Sequence, residues 1–251
     1  MTSLRAVFWD VDGTLADTEM DGHRPAFNAA FEELGLPISW EPDLYSELLS
    51  IPGGLRRVRE YLSRCDLPVR EEQLLALREI KRRHYLERVQ QGHVGWRPGV
   101  LRLLHALDAA GVSQWIVTSS GQPSVMALLD AGGDRLPRFA GIVSSDDVKE
   151  GKPSPAGYQL ALQRSGFNPA EVLAIEDSAV GFEAARAAGL SCLLTPSPWD
   201  RELIPLIPQA IAAMNHLGDP SHPSPQLQGP PCPDGLVTLE YLQSLISSAV
   251  R

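Results

Sequence analysis

Asp10 and Asp12 stand two residues apart at the end of an apolar run, Leu4 to Trp9, interrupted only by Arg5. The run reads as a short buried strand, and residues i and i+2 of an extended chain point to the same side. Both carboxylates are therefore expected to converge on one small volume, where like charges need a cation between them or one must hold a proton. Gly13 permits the sharp turn that exposes them. Glu176 and Asp177 follow a second apolar run, Val172–Ile175. Next to Asp10 they suit a hard cation with oxygen ligands, and magnesium fits best because it keeps several waters and few carboxylates. A third run, Gln114–Thr118, leads into Ser119, Ser120 and Gly121; small hydroxyls and exposed amides can hold phosphate oxygens. Taken singly, each feature has an ordinary reading. An Asp-x-Asp-Gly is a solvated turn, an acidic pair caps the next helix, Ser-rich turns are common, and Lys152 before Pro153 is a solvated loop charge.

The elements that must position these residues follow from periodicity. Ala26, Phe27, Ala30, Phe31 and Leu34 share a helical face that should end at Gly35-Leu36-Pro37. Shorter helices are expected around Leu44–Leu49 and Arg56–Arg64, separated by Ile51-Pro52-Gly53-Gly54, and a longer one over Glu71–Gln91. No convincing strand occurs from about 18 to 93. From Trp96 onward, strands at Gln114–Thr118, Gly141–Ser144, Val172–Ile175 and Ser191–Leu194 alternate with helices at about 100–107, 123–130, 156–164 and 180–188. Such alternation predicts an α/β fold, a Rossmann-like parallel sheet covered on both faces, with ligands beyond the carboxyl ends of the strands. The candidate residues fall at those ends. The expected division is an α/β core of 1–17 and 94–251 with an inserted all-helical domain of 18–93. The segment 216–235 reads as a Pro-rich loop and 238–250 as a final amphipathic helix.

The apolar fraction of 43% fits a soluble globular chain, and no stretch approaches 18 apolar residues, so no membrane span is expected. No charged-then-apolar leader is seen. Cys65, Cys192 and Cys232 form neither a disulfide framework nor a zinc pattern, which favours a reducing, cytoplasmic-type compartment. A net charge of −9 argues against a nucleic-acid partner but leaves room for a phosphorylated small molecule, because a pocket's local field can oppose the net charge. A monomer is expected.

Asp10-Val11-Asp12-Gly13-Thr14-Leu15, then Thr118, Lys152-Pro153 and Glu176-Asp177, resemble in order and spacing the four motifs of the haloacid dehalogenase-like phosphatases. Asp17-Thr18-Glu19, Gly22-His23-Arg24, Ala26-Phe27-Asn28, Tyr45 and Gly53-Gly54 resemble the CbbY-type branch, whose characterised activity is dephosphorylation of xylulose bisphosphate. The resemblance covers residues 6 to about 195; the tail after Pro196 lies outside it. It implies hydrolysis of a phosphate monoester through a phospho-aspartate. Asp10 would be the nucleophile. Asp12 would protonate the leaving oxygen and then take a proton from water. Thr118, Ser119 and Ser120 would hold phosphate, and Lys152 would neutralise Asp10 and the phosphate. The implied magnesium ligands are the Asp10 carboxylate, the Asp12 backbone carbonyl and Asp177, with Glu176 direct or through water. The helical insert would be a cap that excludes water and chooses the substrate. Its specificity candidates are Glu19, His23, Arg24, Tyr45, Gly54, Arg56, Arg57 and Lys81.

Two positions depart from the family pattern. Leu55 stands where a Lys usually follows Gly-Gly, so Arg56 or Arg57 would have to replace that cation, or the substrate differs. Trp9 stands in place of the commoner Phe, where only a packing change is expected. Lys81, Tyr85 and Arg88 share a helical face with Arg78 and Arg82 beside it, which is either a solvated basic face or a grip for a second phosphate. A beta-phosphoglucomutase-like mutase shares all four motifs and stays open as an alternative. So does a non-catalytic sugar-phosphate-binding regulator, although Asp10, Asp12, Lys152 and Asp177 speak against it. A phosphonate-cleaving relative would need a lysine in the cap at position 55, and a true dehalogenase would not need Asp12 or the magnesium acids.

Overall fold

Strand β1 (Ala6–Trp9) sits inside a seven-stranded sheet in the computed structural model, which describes residues 3–51, 53–68, 70–200 and 202–249. The other strands are β2 (Ser113–Val117), β3 (Gly141–Val143), β4 (Val172–Glu176), β5 (Ser191–Leu194), β6 (Ala212–Met214) and β7 (Gln226–Gln228). They lie in the order β3-β2-β1-β4-β5-β6-β7, parallel except for β7. All four residues of β1 are buried, as a central parallel strand requires. Ala6 and Phe8 join a core cluster with Tyr158 and Phe182, while Val7 and Trp9 point to the opposite, equally buried face. The indole N–H of Trp9 has no hydrogen-bond partner among the described residues.

The chain divides into two units, Met1–Asp17 with Trp96–Arg251, and Thr18–Gly95. The first carries the sheet with helices α5 (Val100–Ala109), α6 (Gln122–Gly132), α7 (Ala156–Ser165), α8 (Ala179–Ala187) and α9 (Leu239–Ala249). The second consists of α1 (Arg24–Glu33), α2 (Pro42–Leu48), α3 (Gly54–Arg64) and α4 (Glu71–Gln90), preceded by a π-helical turn at Glu19–His23 that periodicity did not suggest. Its core is aromatic: Phe27, Phe31, Trp40 and Tyr45 pack with Val58, Leu62, Leu74 and Leu77. Asn28 pins the segment after α1, accepting from the Trp40 N–H at 2.8 Å and donating to the Trp40 carbonyl at 3.1 Å.

The segment 216–235 is not wholly loop. Gln226–Gln228 forms β7 and pairs antiparallel with β6, and neither strand was expected. Both are three residues long, too short for a period to show, and β7 is an exposed edge whose glutamines give no apolar signal. Pro52 of the expected break and Val250 of the expected final helix lie outside the described residues.

Candidate active site

The register assembles the acidic centre. Trp9 pairs with Ile175, so Asp10 and Glu176 are the next residues on neighbouring strands, and the Asp10 N–H donates to the Ile175 carbonyl at 3.1 Å. Sequential strands lie to one side of β1 and β4 to the other, so the two acidic ends meet where the strand order reverses, the usual ligand position in such sheets. Carboxylate oxygens of Asp10, Glu176 and Asp177 lie within 4.8 Å of one another, all three residues buried.

Lys152 is the counter-charge. Its Nζ lies 2.5 Å from Asp10 Oδ1 and 2.6 Å from Glu176 Oε1, and it donates to the Val117 carbonyl at 3.0 Å. Burial alone would push its ammonium down, but Asp10 and Glu176 override this and hold it above the ordinary lysine value. Lys152 is thus a fixed charge and not a base. Asp10 moves from 3.8 to about 7, chiefly through burial, with Glu176 and Asp12 adding to the rise and Lys152 opposing it. Asp177 is also well above its ordinary value, first through burial and then through Asp10 and Glu176.

Three buried carboxylates meet the Lys152 ammonium, with the buried Arg97 guanidinium also acting on Asp177. The donors are all hard oxygens, and Glu176 Oε2 is buried without a hydrogen-bond partner among the described residues. The set fits a magnesium-like ion. Glu176 Oε1 also accepts from the Tyr158 hydroxyl at 2.5 Å. Gly13, at φ +83°, lets the loop after β1 approach this centre: a Cβ there would lie 2.0 Å from Asp177 Oδ2.

Asp12 faces the end of β2. The Ser120 hydroxyl donates to its Oδ2 at 2.5 Å, and the Ser120 N–H donates to Thr118 Oγ1 at 3.0 Å. Thr118 is buried and Ser119 exposed. Among the residues expected to hold phosphate, Ser120 is therefore engaged with Asp12.

Within the helical unit the specificity candidates separate into two groups. Tyr45 is fully buried and donates to Glu19 Oε2 at 2.6 Å. Arg57 donates from NH1 to the Tyr45 hydroxyl at 3.1 Å and from Nε to the Leu48 carbonyl at 2.9 Å. Arg57 is thus turned inward, whereas Arg56 is exposed. Leu55 packs against the unit's apolar core. Gly54 opens α3 against the ring of Phe27, where a Cβ would lie 2.9 Å from Cζ. Lys81 Nζ donates to His23 Nδ1 at 2.9 Å and lies over the rings of Phe27 and Tyr85; His23 stacks on Tyr85 at 4.3 Å. Arg24 donates to the Trp40 carbonyl at 3.1 Å.

Sequence reasoning missed Tyr158 and Arg97. Tyr158 occupies the buried face of α7 six residues after Lys152, a position indistinguishable in sequence from core. Arg97 carries no motif signal. A cavity of about 410 Å³ lined by Arg97, Asp200, Ile204, Asn215 and Leu227 is not lined by Asp10, Asp12, Glu176 or Asp177.

Comparison with known proteins agrees with this geometry. A family model for haloacid dehalogenase-like hydrolases matches residues 4–189. The plasmid-encoded protein CbbY of Cupriavidus necator is 40% identical over 230 residues, 89% of each chain. The phosphoglycolate phosphatase of Salmonella typhimurium is 31% identical over 75% of this chain and 80% of its own. A crystal structure of a CbbY mutant from Rhodobacter sphaeroides, in complex with xylulose-(1,5)bisphosphate, superposes with a TM-score of 0.73 at 34% identity, over 79% of this chain and 89% of that one. With the buried acidic centre at the end of β1 and relatives of this kind along most of its length, the chain belongs to the haloacid dehalogenase-like hydrolase family, as a CbbY-like phosphatase.

Proposed function

We propose that this phosphatase hydrolyses a small sugar phosphate, a pentulose bisphosphate such as xylulose 1,5-bisphosphate, in a magnesium-dependent reaction through phospho-Asp10. The observation that carries the reading is the Asp10 carboxylate, held at 2.5 Å by the Lys152 ammonium and packed within 4.8 Å of Glu176 and Asp177. Asp10, Asp177 and the Asp12 backbone carbonyl would hold magnesium, with Glu176 direct or through water, and the ion would offset phosphate charge so that an anion can attack an anion.

Asp10 attacks phosphorus in line, forming a P–O bond as the ester P–O bond breaks. Asp12 gives its proton to the leaving sugar oxygen. It then takes a proton from the water that releases phosphate from Asp10. Ser120 orients Asp12 for both transfers. Thr118 and Ser119 border the phosphate, and Lys152 remains charged throughout. The helical unit is the proposed selectivity element, through Glu19, His23, Tyr45, Gly54, Arg56 and Lys81, with Arg57 setting Tyr45 in place. The homologous xylulose bisphosphate complex supports the bisphosphate reading.

The test is product formation from xylulose 1,5-bisphosphate, ribulose 1,5-bisphosphate and beta-glucose 1-phosphate, with and without magnesium. Magnesium-dependent phosphate release with the highest kcat/KM for xylulose bisphosphate is expected. Conversion of beta-glucose 1-phosphate to the 6-phosphate without net phosphate release would establish the mutase instead.

A further inference from the structure

Arg97 lies outside every motif that points to the chemistry, yet it is 7% exposed and spends its donors on the loops around the acidic centre. NH1 donates to the carbonyl of Gly13 and, at 2.6 Å, to that of Thr195. NH2 donates to the carbonyls of Asn215 at 2.9 Å and Pro196 at 3.3 Å. The Arg97 N–H donates to the Leu15 carbonyl at 3.0 Å. The loop after β1, the loop after β5 and the residue after β6 thus turn their carbonyls onto one guanidinium. Asp17 lies 3.7 Å from Nε with its side chain 51% exposed, and the buried Asp177 also acts on this charge, but the hydrogen bonds of the guanidinium to the loops go mainly to carbonyls.

Two of those segments bear directly on Asp177. The Gly13 backbone packs so closely that a Cβ would lie 2.0 Å from Asp177 Oδ2. The Ser197 N–H donates to the Asp177 carbonyl at 3.1 Å, and the Thr195 N–H donates to the Glu176 carbonyl at 2.7 Å. A planar fork with five donors in fixed directions can hold several carbonyls at set angles; a lysine ammonium on a flexible stem cannot.

We propose that Arg97 is a positioning residue of the acidic centre: by clamping the loops after β1 and β5 it sets the placement of Asp177 relative to Asp10 that a divalent cation requires. The proposal rests on the reading of that centre as a cation site.

Mn²⁺ titration of the full chain, read from the paramagnetic resonance signal of free aqueous Mn²⁺, tests it in wild type, Arg97→Gln and Arg97→Lys. Steady-state hydrolysis of para-nitrophenyl phosphate at saturating Mn²⁺ runs alongside. Arg97→Gln should raise the Mn²⁺ dissociation constant by about tenfold, equivalent to ~1.4 kcal/mol. Arg97→Lys should give a smaller but measurable rise, and both should leave the ester KM nearly unchanged. A residue that merely holds the fold would lower the unfolding midpoint and leave Mn²⁺ affinity of the folded chain at the wild-type value. That result overturns the proposal. If Arg97→Gln does not fold, Arg97→Lys decides alone, and wild-type affinity in it is equally fatal. Absence of Mn²⁺ binding by the wild type would overturn the cation reading and this proposal with it, whereas normal wild-type binding with unchanged variants removes this proposal only.

Discussion

Replacing Asp10 by Asn should abolish turnover and at the same time stabilise the metal-free protein. Asn is nearly isosteric with the protonated carboxyl but is a poor nucleophile, so residual activity should fall below about a hundredth of wild type, ~2.7 kcal/mol of barrier. The stability gain follows from burial. A carboxyl moved from 3.8 to about 7 is penalised for ionising in the fold by about 4 kcal/mol at pH 8. The folded chain retains a proton that the unfolded chain has released across that window. Wild-type stability therefore falls as pH rises from the ordinary value through about 7, and Asp177 acts with the same sign. The amide removes the Asp10 penalty, and Lys152 keeps Glu176 at 2.6 Å as its ion-pair partner. In chelator at pH 8 the variant should gain ~1–4 kcal/mol, a rise in unfolding midpoint of roughly 2–16 °C for a chain of this size. Between pH 6 and 8 its midpoint should fall less than that of wild type, and magnesium should raise the wild-type midpoint more than the variant's. Thermal unfolding at pH 6 and 8, with chelator and with magnesium, measures all of this. A variant no more stable than wild type in chelator at pH 8 would refute the electrostatic account, and retained turnover would refute covalent catalysis.

Ser120→Ala removes the donor to Asp12; loss of a charge-assisted bond worth ~1.5–3 kcal/mol should lower kcat by about tenfold or more, and an unchanged kcat would remove Ser120 from the proton-transfer geometry. Arg57→Ala should destabilise the helical unit by ~2 kcal/mol, since it strips the Leu48 carbonyl and Tyr45 hydroxyl of a buried donor. Arg56→Ala should leave the unfolding midpoint nearly unchanged and cut the preference for bisphosphate over monophosphate by about tenfold, the converse of Arg57→Ala; kcat/KM on both substrates with unfolding curves separates them, and the reversed pattern would sink the assignment. Chelation should abolish phosphate release and added magnesium restore it, with full activity in chelator contradicting the cation reading.

The residues that make strong local patterns were legible. β1 and β4 are unbroken apolar runs ending in acids, and parallel pairing then places Asp10 beside Glu176 without further information. α1 was legible by its apolar period, and α4 because no Gly or Pro interrupts the chain from Glu71 to Gln91. Side-chain direction was less accessible. Arg56 and Arg57 are adjacent and chemically alike, but only the fold shows that Arg57 turns inward to Leu48 and Tyr45. Leu55 read as a missing cation and proves to be a packing residue of the helical core. Ser120 read as a phosphate ligand and bonds to Asp12. β6 and β7 escaped because three residues cannot display alternation and because an edge strand needs backbone partners, not apolar side chains. Arg97 was silent because its partners are carbonyls, which every residue possesses.

The pairing of Ala16 with Trp96 bears on how the sheet can form at all. The chain leaves β1, passes through Thr18–Gly95 and returns to the α/β unit beside the point of departure. Once the inserted helices have closed around their own aromatic core, β1 and β2 are joined in effect by a short connection. Closing an unstructured loop of roughly a hundred residues costs about 1 kcal/mol more than closing the roughly 25 residues that remain between Trp9 and Ser113 without the insert, because the cost grows with the logarithm of length. An insertion that returns to its own doorway spares the central strand pair that entropy, so the helical unit can lengthen or shorten with little consequence for the register that brings the acids together.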